Sequence, residues 1–428
     1  MRAAFLVPVL LALLSASCAR EMEVSLERLG DAYAATSVNT CAFRGSSIAS
    51  DRRMRVAAYY DGESRVTLAL QERGSGRWEV VHTPLSGRTQ DAHNVISIAL
   101  DGDGYIHVCL DQHGSPMRYC RSLEPYKAVF PEPSGMLGRG EDDVTYPEFH
   151  RLSNGDLLFF YRDGSSGRGN LVLNRYGVAE GRWSRVQDVL VDGQGERSAY
   201  PQVHVDARDG VHLSWVWRES RFVESNHDMC YAYSPDGGLS WQRTDGSRYD
   251  MPITAANAEY AWRIPQGSEL INQTSMTADA RGRPCIATYW RDAGSDVPQF
   301  RLVWFDGAAW KCRQVGARTQ AFSLDGGGTK AIPISRPAIA LAARGPVMLF
   351  RDAARGSVVS AFVAKDLEGE WTVRDLTDFS VDMWEPTIDR DALRREGRLS
   401  VFVQRSAQLD GAGVADVPPR PAFVLDCR

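Results

Sequence analysis

The chain has 428 residues, 43% hydrophobic and 24% charged, with a formal net charge of −5. This is the composition of a soluble globular protein with ample material for a core. It carries no cationic excess that would point to nucleic acid and no charge block that would form a tail.

The first element is a leader. Arg2 precedes the apolar run Ala3 to Leu14, and small residues "SASCAR" follow. This is the pattern of a secretory signal over residues 1–19, too short to remain as a bilayer-spanning helix. Cys18 is a candidate lipidated residue. Cleavage after Ala19 is the competing reading, because Ser15 stands where a lipobox prefers leucine. Export would place the protein in the periplasm, on the outer membrane as a lipoprotein, or outside the cell. Any membrane contact would be through the lipid alone. The later cysteines (41, 109, 120, 230, 285, 312 and 427) are scattered, without a C-x-x-C pair. An exported chain permits disulfides, and an odd number leaves at least one thiol unpaired.

Past the leader the chain repeats itself. The copies are "MRVAAYYD" (54–61), "GYIHVCLD" (104–111), "NGDLLFFYRD" (154–163), "DGVHLSWVWRE" (209–219), "RPCIATYWRD" (283–292), "GPVMLFRD" (345–352) and "GRLSVFVQR" (397–405). Most are a turn, a β-rich apolar run, then an acid or an Arg-acid pair. A tryptophan follows at 78, 183, 241, 310 and 371. One stretch, "SPDGGLSW" (Ser234–Trp241), fits the Asp-box S-x-D-x-G-x-x-W. In that device the Asp closes a tight hairpin and the Trp packs between sheets. Seven units of about four strands predict an all-β fold, a seven-bladed β-propeller of four-stranded antiparallel blades forming one domain over 38–428. A linear β-solenoid is the alternative, although its repeats are usually shorter and more regular. Cys41 and Cys427 flank the first and last copies. They are either a ring-closing disulfide or two unrelated buried thiols.

The strand preceding each run is often introduced by an X-Pro pair: Tyr146-Pro147, Tyr200-Pro201, Arg336-Pro337 and Glu385-Pro386. Proline suits a first strand position, where its missing N–H costs no ladder bond. His93 falls near the same slot. In an antiparallel hairpin the start of one strand and the end of the next share an edge. His93 therefore meets His113, Tyr146 meets Arg162, and Tyr200 meets Arg218. In a propeller these rims converge on one mouth. Arg162, Arg218, Arg291 and Arg351 occupy a recurring slot, which would also suit ties between blades. His107 and His212 lie mid-strand and read as interior residues.

The segments "DAHN" (91–94), "GYIHVCLDQHGSPMRY" (104–119), "TYPEFHRLSNGDLLFFYRDGSSGRGNLVLNRY" (145–176), "NHDMCYAYSPDGGLSW" (226–241), "LINQTSM" (270–276) and "WEP" (384–386) carry a likeness over roughly 40 to 425. The chain resembles the BNR-repeat (Asp-box-like) propeller family that includes ulvan lyases. The resemblance implies a polysaccharide lyase acting on an acidic, uronate-containing polysaccharide, and no cofactor for the chemistry. It implies His93 as base, His113 as second active-site histidine, Tyr146 as acid/base and Arg162 as carboxylate neutraliser. Tyr200 and Arg218 would contact substrate. Family members can hold a structural zinc, for which His204, His212, Cys230 and Cys285 supply suitable donors. A monomer is expected.

Such chemistry fits these residue types. A lyase removes the C5 proton of a uronic acid and expels the O4-linked sugar. Arginine stabilises the charge that develops on the carboxylate, histidine takes a proton near neutral pH, and tyrosine donates one to the leaving oxygen. Two rivals share the fold: a sialidase-like glycoside hydrolase, suggested by "WRIPQG" (262–267), and a non-catalytic glycan-binding propeller.

Overall fold

A computed structural model describes residues 22–342, 344–411 and 413–427; the leader read from residues 1–19 lies outside them. Strand accounts for 46% and helix for 4%, so the fold is all-β. No helix among the described residues is long and apolar enough to cross a membrane.

The recurring turns explain why the strands start where they do. In the hairpin before Met54–Tyr60, Asp51 Oδ1 accepts the N–H groups of Arg53 and Met54, both at 2.7 Å. Asp101 accepts from Asp103 and Tyr105, Asp206 from Arg208 and Gly210, and Asp279 from Arg281 and Arg283, all at 2.7–3.0 Å. A short acidic side chain that satisfies its own turn is the usual device for reversing a strand. Two of these carboxylates also hold a mid-strand histidine. His107 lies between Asp101 and the Tyr119 hydroxyl, and His212 between Asp206 and the Tyr231 hydroxyl, both fully buried. They are interior residues with both nitrogens engaged.

The strands form sheets in chain order. Ile48–Ser50, Met54–Tyr60, Arg65–Glu72 and Glu79–Ser86 make the first, and Ile96–Leu100, Ile106–Leu110 and Tyr119–Arg121 the second. A nine-stranded sheet spans His113–Ser115 and the strands from Val144–Arg151 to Glu259–Trp262. It consists of two antiparallel runs joined by one parallel pairing, Gly169 with Ser198. Two four-stranded sheets follow, Ser275–Ala278 to Trp310–Val315 and Ala338–Ala342 to Thr372–Asp375. The first strands of successive sheets or runs touch one another. Together with Pro386–Ile388 they line one cavity of about 330 Å³.

The last sheet contains a strand that the repeats did not announce. Val24–Ala32 pairs antiparallel with Arg420–Cys427, which pairs with Leu399–Gln404. The two ends of the described chain are therefore joined by backbone hydrogen bonds. Cys41 and Cys427 are free thiols, so the disulfide option falls away. The Cys41 thiol instead lies 3.3 Å from the Ala92 carbonyl. Across to the first sheet, Arg55 meets Asp426 at 2.9 Å, with both side chains 4% exposed.

The Asp-box folds as expected. Asp236 Oδ1 accepts from the Ser234 hydroxyl and the Ser240 N–H, both at 2.8 Å, and Gly237 and Gly238 take positive φ. Trp241 is buried in a core shared by Leu158–Leu173 side chains of one run and Val203–Ala232 side chains of the next.

The cavity wall carries a buried charge cluster. Glu148 meets Arg390 Nη1 at 2.5 Å and His150 Nε2 at 3.2 Å. Burial opposes ionisation of Glu148, but Arg390 and His150 outweigh it and bring its pKa down to about 2.

Two outcomes follow. Removing one partner of a buried pair strands the other charge, so Asp426→Ala should lower stability by about 3–5 kcal/mol in urea melts. The Glu148 carboxyl is depressed on folding, so its contribution is complete above its unfolded pKa and is lost as pH falls through the folded value. Wild-type stability should drop between pH 4.5 and about 2, and Glu148→Gln should flatten that part of the profile by on the order of 3 kcal/mol.

Candidate active site

The site begins at Thr145, a fully buried residue that pairs in register with His113 on one side and Arg162 on the other. Its Oγ1 accepts from Gly114 N–H at 2.8 Å and from Arg162 Nη2 at 3.1 Å. One threonine thus fixes two candidate residues from different strands. Immediately after it the register slips between Thr145 and Glu148, and Tyr146 adopts φ 59°. A left-handed backbone is costly for a bulky residue and is held only by its surroundings. The bulge turns the Tyr146 ring out of the ladder and towards the histidines.

Asp91 lies in the loop entering Ile96–Leu100. It closes that loop by accepting His93 N–H at 2.9 Å. Its two oxygens then take the two imidazoles: Oδ1 lies 3.0 Å from His93 Nδ1, and Oδ2 lies 2.5 Å from His113 Nδ1. The rings stack, with centroids 4.1 Å apart and planes 14° from parallel. Phe43 stacks on the other side of His93 at 4.9 Å and meets Tyr146 edge-on at 5.5 Å. An ionised carboxylate only accepts, so both Nδ1 atoms carry hydrogen, and in the neutral ring of His93 the lone pair is left on Nε2. Burial disfavours the Asp91 anion, but the His113 and His93 hydrogen bonds overcome it and hold the carboxyl far below the usual range. Burial pushes the His93 imidazole down to about 4, against the Asp91 hydrogen bond, with His113 adding to the fall.

Tyr146 and Tyr200 lie 5.7 Å apart, ring to ring. Arg162 is 4.9 Å from the Tyr146 ring and 5.6 Å from that of Tyr200; Arg218 is 5.3 Å from Tyr200. The Tyr200 hydroxyl meets Arg162 Nη1 at 3.1 Å and Ser166 Oγ at 2.8 Å. The two phenols differ in consequence. Burial, then the neighbouring Tyr200, pushes Tyr146 up. Burial also opposes the Tyr200 phenolate, but Arg162 and Arg218 prevail and pull that phenol below its ordinary value.

His93, His113, Tyr146, Arg162, Tyr200 and Arg218 therefore form one connected cluster. Arg162 differs from its expected posture. It is 3% exposed, and its guanidinium is committed to Tyr200, Thr145 and the Gly164 carbonyl. Arg218 is 7% exposed and bonds the Ser220 and Arg221 carbonyls, and it lines a small cleft of about 50 Å³ with His93 and Tyr146. Arg351 and Arg291, from the same slot, bind backbone carbonyls and serve as ties.

The proposed zinc donors do not gather among the described residues. His212 has both nitrogens occupied, while Cys230 and Cys285 sit in separate hydrophobic cores. The arginine of "WRIPQG", Arg263, is 68% exposed and pairs with Asp228, away from the cleft. Reasoning from the sequence missed Asp91, Phe43, Thr145 and the buried pair Arg336–Glu385 at 2.8 Å, which also lines the cleft. Arg336 and Glu385 did carry a signal, because each precedes proline in the slot that holds Tyr146 and Tyr200.

The fold and cleft define an all-β repeat protein with imidazoles, phenols and guanidiniums gathered at one site. The chain belongs to the BNR repeat-containing family, whose model matches residues 55–318. A curated relative, the short isoform of an ulvan lyase from Alteromonas sp. (strain LOR), is 27% identical over 121 residues. That match covers 26% of this chain and 23% of the relative. Among solved structures, a PL25 ulvan lyase bound to -[GlcA(1-4)Rha3S]- superposes with a TM-score of 0.69 at 17% identity, over 89% of this chain and 93% of that one. The polysaccharide lyase Uly1 gives 0.67 at 16% identity, covering 89% of each chain.

Asp91 accepts from both Nδ1 atoms, so nitrogen NMR should show Nδ1 protonated on His93 and His113. Asp91→Asn should release at least one ring to the other tautomer while the remaining spectrum stays folded.

Proposed function

We propose that the protein is an exported polysaccharide lyase that cleaves a uronic-acid-containing, ulvan-like polysaccharide by β-elimination, on a seven-bladed β-propeller whose last blade takes its outer strand from Val24–Ala32. The observation that carries this reading is the pair of Asp91-bound imidazoles beside two phenols driven apart in acidity. His93, pushed down by burial, and Tyr146, pushed up by it, are a pair of titratable groups suited to be base and acid. The ulvan lyase relative and the ulvan lyase structures support the substrate class.

In this reading His93 Nε2 takes the C5 proton of the uronate. The released electron pair forms the C4=C5 double bond as the C4–O4 bond breaks, and the Tyr146 hydroxyl gives its proton to O4. Its buried surroundings keep that phenol protonated until then. His113, stacked on His93 and held by the same carboxylate, is the second active-site histidine. Arg218, on the cleft wall, meets the sugar carboxylate, while Tyr200, expected from the sequence to touch substrate, is fully buried and backs the site from behind. Arg162 acts from behind the two phenols, adding positive potential where charge develops.

Glycoside hydrolysis is disfavoured by the carboxylates available. Asp91 already accepts from two imidazoles, and Glu385 from Arg336 and the Ala42 N–H. Neither is placed to serve as the protonated acid that a glycosidase requires.

The test is to incubate purified protein with uronate polysaccharides and follow the ultraviolet absorbance of an unsaturated uronate. His93→Ala, His113→Ala and Tyr146→Phe should each lower kcat by about 10²–10⁴-fold. Release of saturated sugars, or glycan binding without turnover that His93→Ala leaves unchanged, would sink the reading. A severe loss in His113→Ala with a mild one in His93→Ala would exchange the two histidine roles.

A further inference from the structure

A strap crosses the cleft between two buried anchors. Leu324 is fully buried, and Glu269 Oε2 accepts its N–H at 2.6 Å. Ile332 is buried too, and its carbonyl accepts from Arg351 Nη2 at 2.9 Å. The residues between them, "DGGGTKA" (325–331), supply no large apolar side chain. Their ties to the rest of the molecule are hydrogen bonds near the surface. Val223 N–H donates to the Gly326 carbonyl at 3.0 Å, and Gly326 N–H to Glu224 Oε2 at 3.1 Å. Gly411 N–H donates to the Thr329 carbonyl at 2.8 Å, and Ala331 N–H to Asp410 Oδ1 at 2.7 Å. A segment held in this way opens far more readily than the packed sheets beside it. Gly326 and Gly328 take φ 96° and 79°, where a side chain would be strained.

The strap covers the site described above. Gly328, Thr329 and Lys330 line the cleft with His93, Tyr146 and Arg218, and Thr329 Oγ1 lies 3.4 Å from His93 Nδ1. The space left beneath it is about 50 Å³. Pockets that enclose a ligand measure about 300–1,000 Å³, so the closed cleft holds a few waters and no sugar ring. Lys330 is the cation that the strap carries. Its ammonium donates to the Asp325 carbonyl at 2.9 Å and stands 3.6 Å from Asp410, which leaves donor capacity unused. Arg336 and Arg351 on the same wall are tied to Glu385 and to backbone carbonyls.

We propose that residues 325–331 are a lid, which swings away from its ties to Glu224 and Asp410 to admit a sugar chain to His93 and Tyr146. On its return the lid sets the Lys330 ammonium against a negative charge of that chain. The lid stands on packing and volume alone, whereas the Lys330 contact rests on the acidic-polysaccharide reading above.

The lid is tested by carbethoxylation of the full-length protein with diethyl pyrocarbonate, read peptide by peptide by mass spectrometry. His93 is 14% exposed beneath the strap, and His113, 39% exposed, is the internal standard. Asp410→Ala and Glu224→Ala each remove one tie, so each should speed modification of His93 by about fivefold relative to His113, with unchanged thermal melts. In the wild type, amides of the strap should exchange with deuterium at least about 100-fold faster than those of Ala338–Ala342. Equal His93 rates in both variants, or strap amides as protected as the strand, overturn the lid whether or not any polysaccharide is cleaved. Lys330→Met should weaken binding of ulvan oligosaccharides in calorimetry by about tenfold at low salt, with a smaller gap at high salt. Equal affinity overturns the Lys330 contact. No binding by the wild type sinks the substrate reading and that contact with it, while the labelling result still decides the lid.

Discussion

The contact between the first strands of successive sheets is the constraint on which the rest of this molecule depends. Because Ile48–Ser50, Ile96–Leu100, Val144–Arg151, Ser198–Val205, Ser275–Ala278 and Ala338–Ala342 pack beside one another in turn, residues in equivalent slots become neighbours in space. No local motif could do this. His93 and Arg336 are distant in sequence, yet both line one cleft because each precedes an inner strand. The candidate site is spread across repeats, two side chains to a unit, and is assembled only when the strands meet.

Repetition also explains how one slot yields several roles. Four arginines stand near or just past the end of the second strand of their units, but their partners differ. Arg351 is fully committed to backbone carbonyls of Ile332, Pro333 and Trp384. Arg162 is shared between a backbone carbonyl, a threonine and a tyrosine. The inherited function of the slot is to tie a turn to its neighbour. Near the cleft, part of that hydrogen-bonding capacity goes to the Tyr200 hydroxyl, and in the proposed elimination this cation would act electrostatically. A charge held by three fixed acceptors does not reorganise during a reaction, the condition under which it stabilises developing charge best.

Much of this was legible in the sequence, for a physical reason. Turn aspartates, apolar runs and the Asp-box are local signals, and each is satisfied within a few residues of itself. The gathering of His93, His113, Tyr146 and Arg162 followed from the fact that hairpin ends share an edge; proline was a looser marker, because Pro147 and Pro201 are the fourth residues of Val144–Arg151 and Ser198–Val205 and only Pro337 directly precedes its strand. What was not legible depends on long-range partners. Val24–Ala32 has no repeat signature, since its register is set by Arg420–Cys427 at the other end of the chain. Thr145 looks like an ordinary strand residue until its pairing with both His113 and Arg162 is seen. Asp91 stands two residues before His93, which suggests a turn; its second oxygen on His113 appears only in three dimensions.

The two tyrosines show how far environment outweighs residue type. Tyr146 and Tyr200 both precede proline, both are buried, and burial opposes the phenolate in each. They diverge because of where the guanidiniums point. Arg162 and Ser166 reach the Tyr200 oxygen directly, whereas Arg162 meets Tyr146 over its ring. A cation over the Tyr146 face also favours the phenolate, but not enough to offset burial and the neighbouring Tyr200; a cation hydrogen-bonded to the Tyr200 oxygen prevails over burial. The strained backbone at Tyr146 contributes to this difference. With φ at 59° the ring is turned toward Phe43 and His93, so it presents its face to Arg162. An unstrained Tyr146 would lie in the ladder like Tyr200, and the site would hold two similar phenols in place of a donor and a partner.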